Sequence, residues 1–282
     1  MINFSLLICV YEKENPQYLK SCLESVGGSA VLPSEVVIVK DGPLTVELER
    51  VLSEWQEGLR VSDGSLSSID VNIVVLSENV TLGPARAAGV EAAKYEWVAI
   101  MDSDDICRAD RFEKQVRMIE EAPGLGLIGG QIAEFNDTPE HVTATRVVPI
   151  GNDDIVRFAK KRNPFNHMTV MFKRKVVIDV GNYRLFPLFE DYDLWTRMIK
   201  NGTMCANHPD VLVDARIGSG MYGRRRGFAY VGCEWRMQKQ LKSLGLINGI
   251  EFIRNALLRI PVRLLPGGLL AGVYGRFARI RG

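Results

Sequence analysis

Short apolar runs alternate with helical patterns four times over the first hundred residues of this chain. Residues 4–10 read as a strand and 16–26 as a helix, 36–39 as a strand and 46–55 as a helix. A glycine- and serine-rich loop at 58–68 follows, then a strand at 71–76, a helix at 84–94 that begins on Pro84, and a fourth strand at 97–101. The unbroken apolar run Trp97-Val98-Ala99-Ile100-Met101 suits a parallel strand buried on both faces. Repeated β-α-β units with short connections predict an α/β fold, a doubly wound, mostly parallel sheet with right-handed crossovers.

The second half is less regular. Residues 125–135 and 143–148 read as strands, 153–161 as a short helix and 168–172 as another buried strand. Phe189-Glu190-Asp191-Tyr192-Asp193 then opens a helix whose Leu194, Trp195, Met198 and Ile199 share a face, ending at Asn201-Gly202. Acids at a helix amino end are favoured by its dipole, yet three acids in four residues exceed what a cap requires.

Polar chemistry gathers where the strands end. The first runs into Cys9-Val10-Tyr11-Glu12, the second into Lys40-Asp41-Gly42, the third leads to Gly83-Pro84-Ala85-Arg86, and the fourth to Asp102-Ser103-Asp104-Asp105. Open α/β sheets bind ligands at the carboxyl ends of their strands, so these four ends predict a nucleotide crevice. Clustered carboxylates repel unless a cation lies between them. An Asp-x-Asp spacing of hard oxygen ligands suits Mg²⁺ or Mn²⁺ accompanying a phosphorylated substrate. A solvated turn with an acidic cap before a helix near Arg108 is the other reading of these four residues. Gly-x-Gly-x-x-Gly is absent after the first strand, which argues against NAD and FAD.

Composition narrows the class. With 282 residues, 46% of them hydrophobic, the chain suits one large α/β domain plus an appendage. Its five scattered cysteines form no Cys-x-x-Cys pair, which argues for a reducing cytoplasm rather than disulfides or zinc. No basic leader opens the chain and no run of 18 apolar residues occurs. The net charge of +1 hides an asymmetry: residues 216–282 carry 13 Lys or Arg against two acids, leaving 22 basic and 32 acidic residues before them. Basic residues there interleave with aliphatics such as Ile253, Leu257 and Leu258 rather than with aromatics, which points to an anionic membrane surface and not to nucleic acid.

The order of these motifs resembles inverting glycosyltransferases of family 2 with the GT-A fold. Residues 161–167 (Lys-Arg-Asn-Pro-Phe-Asn-His) and 186–195 resemble the branch that makes amylovoran and O-antigen. The resemblance covers roughly residues 3–230. It implies a glycosyltransferase domain at 1–230 with a basic amphipathic helical extension at 231–282. It further implies a nucleotide-sugar donor, a UDP-sugar, and a lipid-diphosphate-linked saccharide acceptor at the inner face of the cell membrane. Carried over residue by residue, Cys9, Tyr11, Glu12, Asp41, Arg86, Asp102 and Ser103 line the donor, with Tyr11 and Asp41 at the base and Arg86 near the pyrophosphate. Asp104 and Asp102 would hold Mn²⁺ or Mg²⁺, Asp104 directly. Asp191 would be the general base, with Glu190 orienting it or touching acceptor. His167 and the Arg224-Arg225-Arg226 loop are further candidates for acceptor or phosphate contacts, a structural histidine and a solvated turn being the alternatives.

Two positions depart from the family pattern: Lys40 replaces the acid common before Asp41, and Ala87 stands where Asn is frequent. Two other functions fit less well. A sugar-phosphate nucleotidyltransferase needs a glycine-rich basic loop after its first strand, and Tyr11-Glu12-Lys13-Glu14 is not one. A non-catalytic sugar-nucleotide binder would lack the acid motifs.

Overall fold

The computed structural model describes residues 2–59, 69–218 and 227–263. Its first half follows the expected alternation: β1 (Phe4–Val10), α1 (Pro16–Gly27), β2 (Glu35–Lys40), α2 (Val46–Gly58), β3 (Asp70–Val75), α3 (Leu82–Ala92) and β4 (Trp97–Asp102). Local chemistry sets the starts. Asn15 accepts the Gln17 amide at 2.8 Å and Pro16 opens α1, while the Thr45 hydroxyl accepts the Leu48 amide at 3.3 Å above α2.

The second half supplies β5 (Ile106–Cys107), α4 (Arg111–Glu121), β6 (Leu125–Phe135), β7 (Val142–Arg146), α5 (Asn152–Ala159) and β8 (Met171–Lys173). It continues with α6 (Arg174–Asp179), α7 (Glu190–Lys200), β9 (Met204–Arg216), α8 (Phe228–Ser243) and α9 (Gly249–Arg263). All strands join one sheet in the order β3-β2-β1-β4-β8-β6-β9-β5, with β7 on β6. The first four strands pair in parallel, as their patterning predicts. Beyond β4 the sheet turns mixed: β8 is antiparallel to both β4 and β6, β7 to β6 and β5 to β9, whereas β6 and β9 are parallel. The strand expected at 168–172 begins only at Met171. His167–Thr169 is a 3₁₀ turn instead, pinned by the Thr169 hydroxyl on Asn166 O at 2.7 Å and the Asn166 amide on Gly130 O at 2.8 Å.

Alternate strand residues feed two cores. Phe4, Leu6, Ile8 and Val10 pack with Leu19 and Leu23 of α1, Leu52 of α2 and Phe112 of α4. Leu7, Val37 and Val39 pack on the other face with Val90 of α3 and Leu194 and Trp195 of α7. Burying each such side chain contributes about 1.5–3 kcal/mol. A third, smaller cluster joins Phe189 and Tyr192 to Tyr230, Met237 and Leu241 of α8 and to Ile247. The α8–α9 hairpin is therefore seated against the amino end of α7, and the expected boundary at 230 falls within the first turn of α8. No helix among the described residues is long and apolar enough to cross a membrane. The Arg224-Arg225-Arg226 loop, most of the 58–68 loop and the tail from Leu264 onward lie outside the described residues.

Candidate active site

Strand register assembles the donor side. Cys9 of β1 lies opposite Asp102 of β4, and Val10 opposite Lys40 of β2, so the ends of three parallel strands meet at one edge. Tyr11, just beyond β1, is 37% exposed, which leaves a ring face for a stacked base. Glu12 is exposed beside it, and Cys9 is half-buried next to Arg86 with its thiol pushed up to about 12 by burial. That value makes it a neutral strand-end residue rather than a nucleophile.

Asp41 is buried and holds the next loop. Its Oδ1 accepts the Val80 amide at 2.7 Å and its Oδ2 the Asn79 side-chain amide at 3.1 Å. Gly42 makes this approach possible: φ is +87°, and a Cβ there would sit 2.8 Å from Asn79 N. Lys40, the first departure from the family pattern, directs its ammonium to Glu49 of α2 at 2.5 Å. A helix partner thus occupies the cation that replaces the usual acid.

The acid cluster after β4 alternates in exposure. Asp102 and Asp104 are half-buried, while Ser103 and Asp105 are buried. Asp105 Oδ1 accepts the Arg216 amide at 2.8 Å, its Oδ2 has no hydrogen-bond partner, and burial together with Asp104 and Asp102 raises its pKa well above the usual value. Glu14, after β1, feels the same crowding. Burial, Asp104 and Asp102 push it up to about 7, against a hydrogen bond with Ser103 that lowers it. Such an excess of hard, negatively charged oxygens fits a divalent cation. Among the described residues no three His, Cys, Asp or Glu side chains form a ready cage.

Arg86 joins the two acid motifs. From α3, and only 5% exposed, it donates Nη2 to Asp102 Oδ1 at 2.9 Å and Nη1 to Glu190 Oε1 at 3.3 Å. Burial opposes its charge, and Asp102, Tyr183 and Glu190 more than offset that. The cation expected near the pyrophosphate thus also spans a gap of 104 residues in sequence. Gly83 lets α3 come close enough, since a Cβ there would lie 2.4 Å from Arg184 O.

Glu190 and Asp191 occupy the first turn of α7, and Leu188 just before them has φ 69°, a conformation a branched side chain adopts only under constraint. Asp191 is half-buried, its Oδ2 accepting the Asn163 amide at 2.6 Å and its Oδ1 the Tyr192 N–H at 2.7 Å. Burial raises its pKa, opposed by Arg86, the Tyr192 N–H and Asn163; burial and Asp191 likewise raise Glu190. A carboxylate whose pKa is raised is a better proton acceptor. Asp193 faces elsewhere: 1% exposed, it pairs with Arg197 at 2.9 Å, and Arg197 in turn donates to Val180 O and Asn182 O. Sequence reasoning missed Asn163 as the partner of Asp191, although it lies in the Asn-Pro motif at 161–167; no sequence signal distinguishes Glu14 or Asn79.

His167 is buried in an aromatic cluster, 5.9 Å from both Trp195 and Tyr183, and neither ring nitrogen has a hydrogen-bond partner. Burial and Arg86 hold it neutral by pushing its pKa well below the usual value.

A profile of glycosyl transferase family 2 matches residues 5–186. The chain belongs to glycosyl transferase family 2. The amylovoran biosynthesis glycosyltransferase AmsE of Erwinia amylovora is 38% identical over 274 residues, covering 96% of this chain and 97% of the relative. A UDP-Gal:alpha-D-GlcNAc-diphosphoundecaprenol beta-1,3-galactosyltransferase of Escherichia coli is 33% identical over 276 residues, 98% of this chain and 96% of its own length. The crystal structure of Staphylococcus aureus TarS 1-349 in complex with UDP-GlcNAc superposes with a TM-score of 0.65 at 14% identity, over 98% of this chain and 74% of the other, which shows a shared GT-A fold. The family profile stops at 186 and so excludes Glu190 and Asp191, whereas both relatives extend across α7 and the α8–α9 hairpin. This family 2 glycosyltransferase therefore carries its two acid motifs on opposite sides of the profile's end.

Proposed function

We propose that this glycosyltransferase transfers a hexose from a UDP-sugar to a saccharide on a lipid diphosphate, with inversion, during assembly of a bacterial surface polysaccharide. The observation that carries this reading is the Asp102–Arg86–Glu190 bridge, which brings the Asp-x-Asp acids and the Glu-Asp acids into one crevice. The substrate class rests on the relatives, one of which is named for a lipid-diphosphate acceptor and UDP-Gal. Tyr11, Glu12, Cys9 and Asp41 would border the nucleotide, with Ser103 and Asp102 toward ribose and phosphate.

The chemistry follows from where the acids sit. As the anomeric C–O bond to the diphosphate breaks, positive charge grows on the sugar and negative charge on the departing phosphate. Asp104 and the second oxygen of Asp102 would hold Mn²⁺ or Mg²⁺, which when bound neutralises the departing diphosphate. Asp191 would take the proton of the acceptor hydroxyl as its oxygen attacks the anomeric carbon. Glu190, held by Arg86, keeps the first turn of α7 facing the crevice. An α-linked donor would then give a β-linked product in one displacement. Incubation of the purified chain and Mn²⁺ with UDP-glucose, UDP-galactose, UDP-GlcNAc, dTDP-rhamnose and GDP-mannose, with and without a GlcNAc-diphospholipid, tests the donor. Preferential turnover of a UDP-sugar is expected, and turnover of GDP-mannose alone would overturn the UDP assignment.

A lipid-diphosphate acceptor would bring the enzyme to the inner leaflet of the membrane, and the hairpin surface supports that reading. Ile250, Ile253, Leu257 and Leu258 of α9 and Trp235 of α8 are exposed, beside the exposed Arg236, Lys239, Lys242 and Arg254. Apolar and basic side chains on one surface suit the headgroup region of an anionic bilayer. Ile253→Gln with Leu257→Gln should weaken sedimentation with phosphatidylglycerol vesicles at low salt by about tenfold. Equal sedimentation of this variant and the natural chain would remove α9 from the membrane contact.

A further inference from the structure

The carbonyls at the carboxyl end of α5 have no partners within their own helix, as at any helix terminus. Three successive ones are satisfied from elsewhere in the chain. Ala159 O accepts the Tyr192 hydroxyl at 2.5 Å, Lys160 O the Asn255 amide at 2.8 Å, and Lys161 O the Arg259 Nη1 at 2.7 Å. The last two donors both come from α9. Two residues further on, Asn163 donates to Asp191 at 2.6 Å.

These α9 donors are themselves fixed. Asn255 is 3% exposed and also donates to Gln238 Oε1 at 3.1 Å. Arg259 grips the buried Glu234 of α8 with Nε on Oε1 and Nη2 on Oε2, the latter at 3.0 Å. Glu234 is fully buried and accepts as well from Arg263 at 3.1 Å and Gln238 at 3.3 Å. A bidentate arginine on a fully buried carboxylate is among the stiffer side-chain anchors available. The route from Glu234 through Arg259 and the turn at 160–163 to Asn163 and Asp191 is thus continuous, each step a hydrogen bond or a peptide link.

We propose that α9 positions the base of the transfer reaction through this turn, making Asn255 and Arg259 positioning residues for Asp191. The inference rests on the reading of Asp191 as general base. It gives the hairpin, which lies beyond the family profile, a part in catalysis as well as on the surface. Helix α9 then has two faces with two tasks: Ile253, Leu257 and Leu258 outward, Asn255 and Arg259 inward onto the turn.

The test uses the full chain with UDP-galactose, or whichever sugar nucleotide of the panel above turns over fastest. Asn255→Ala removes the donor to Lys160 O. Arg259→Lys keeps a cation beside Glu234 but loses the fork that also reaches Lys161 O. Each is expected to lower kcat by about tenfold, with the donor KM changed by less than about twofold, because small displacements of a reacting group are costly. Each should also move the acid limb of the kcat–pH profile upward, since Asn163 pulled from Asp191 no longer favours the ionised carboxylate. The other groups acting on Asp191, namely Glu190 beside it, Arg86 of α3 and Arg146 of β7, are unaltered in both variants. Asn163→Ala sets the scale, and the Asn163→Ala/Asn255→Ala pair should lose no more than Asn163→Ala alone.

Natural kcat and an unmoved acid limb in the folded variants, or multiplicative losses in the pair, overturn the proposal. Should Arg259→Lys not stay folded at the assay temperature, Asn255→Ala decides. Asp191→Asn run in parallel separates the two layers. If it retains natural turnover the base assignment falls, and the positioning route with it. If it is inactive while Asn255→Ala and Arg259→Lys match the natural chain, only the positioning route falls.

Discussion

Asp191→Asn is expected to lower kcat by about 10²- to 10⁴-fold at saturating donor, while the affinity for nucleotide sugar stays near that of the natural chain. The amide cannot accept the proton of the incoming hydroxyl, whereas Tyr11, Asp41 and the acids after β4 expected to hold the donor are unaltered. Asp193→Asn makes the contrast. That residue is 1% exposed and paired with Arg197, so its loss leaves a buried guanidinium short of its counter-charge. The expected result is a loss of about 3 kcal/mol in stability with turnover largely kept below the melting temperature. A thermal melt and a transfer assay on both variants check this, and the reverse ranking in transfer would reject Asp191 as the base.

Asp104→Ala is expected to reduce transfer by about 10³-fold and leave the melting temperature close to that of the natural chain, with excess EDTA giving the same loss. Asp104 is half-buried in a cluster where like charges already oppose one another, so the fold itself gains little from its carboxylate. Titration calorimetry gives a second readout: UDP binding that depends on Mn²⁺ in the natural chain should lose that dependence in the variant. Full activity in excess chelator would overturn the assignment of Asp104 to a cation.

The first four strands were legible because each is a short, mostly apolar run, interrupted only by Ser5 in β1 and Asn72 in β3, between polar or turn-forming segments. The placement of the polar residues after them was legible for the same reason, since whatever follows such a run must emerge at the sheet edge. β9 was not: Asn207, His208, Pro209 and Asp210 interrupt its apolar pattern, and only its long pairing with β6 makes it a strand. β8 has three residues, too few to carry a period, and its neighbour at His167–Thr169 was diverted into a 3₁₀ turn by local hydrogen bonds. Ion pairs across the sheet were equally hidden. Lys40 pairs with Glu49 of α2, and Arg86 bridges Asp102 to Glu190, far along the chain. Glu190 and Asp191 stood out as one acid more than a cap needs, but their partners Arg86 and Asn163 become visible only when α3, α7 and the turn after α5 are brought together.

The central claim is a single displacement with Asp191 as base, and the anomeric configuration of the product tests it most directly. With an α-linked UDP-sugar as donor and a GlcNAc-diphospholipid as acceptor, the H1–H2 coupling in the proton NMR spectrum of the isolated disaccharide reports that configuration. The β-linked product, absent when Asp191 is replaced by Asn, is the predicted result; an α-linked product from the natural chain would contradict the account.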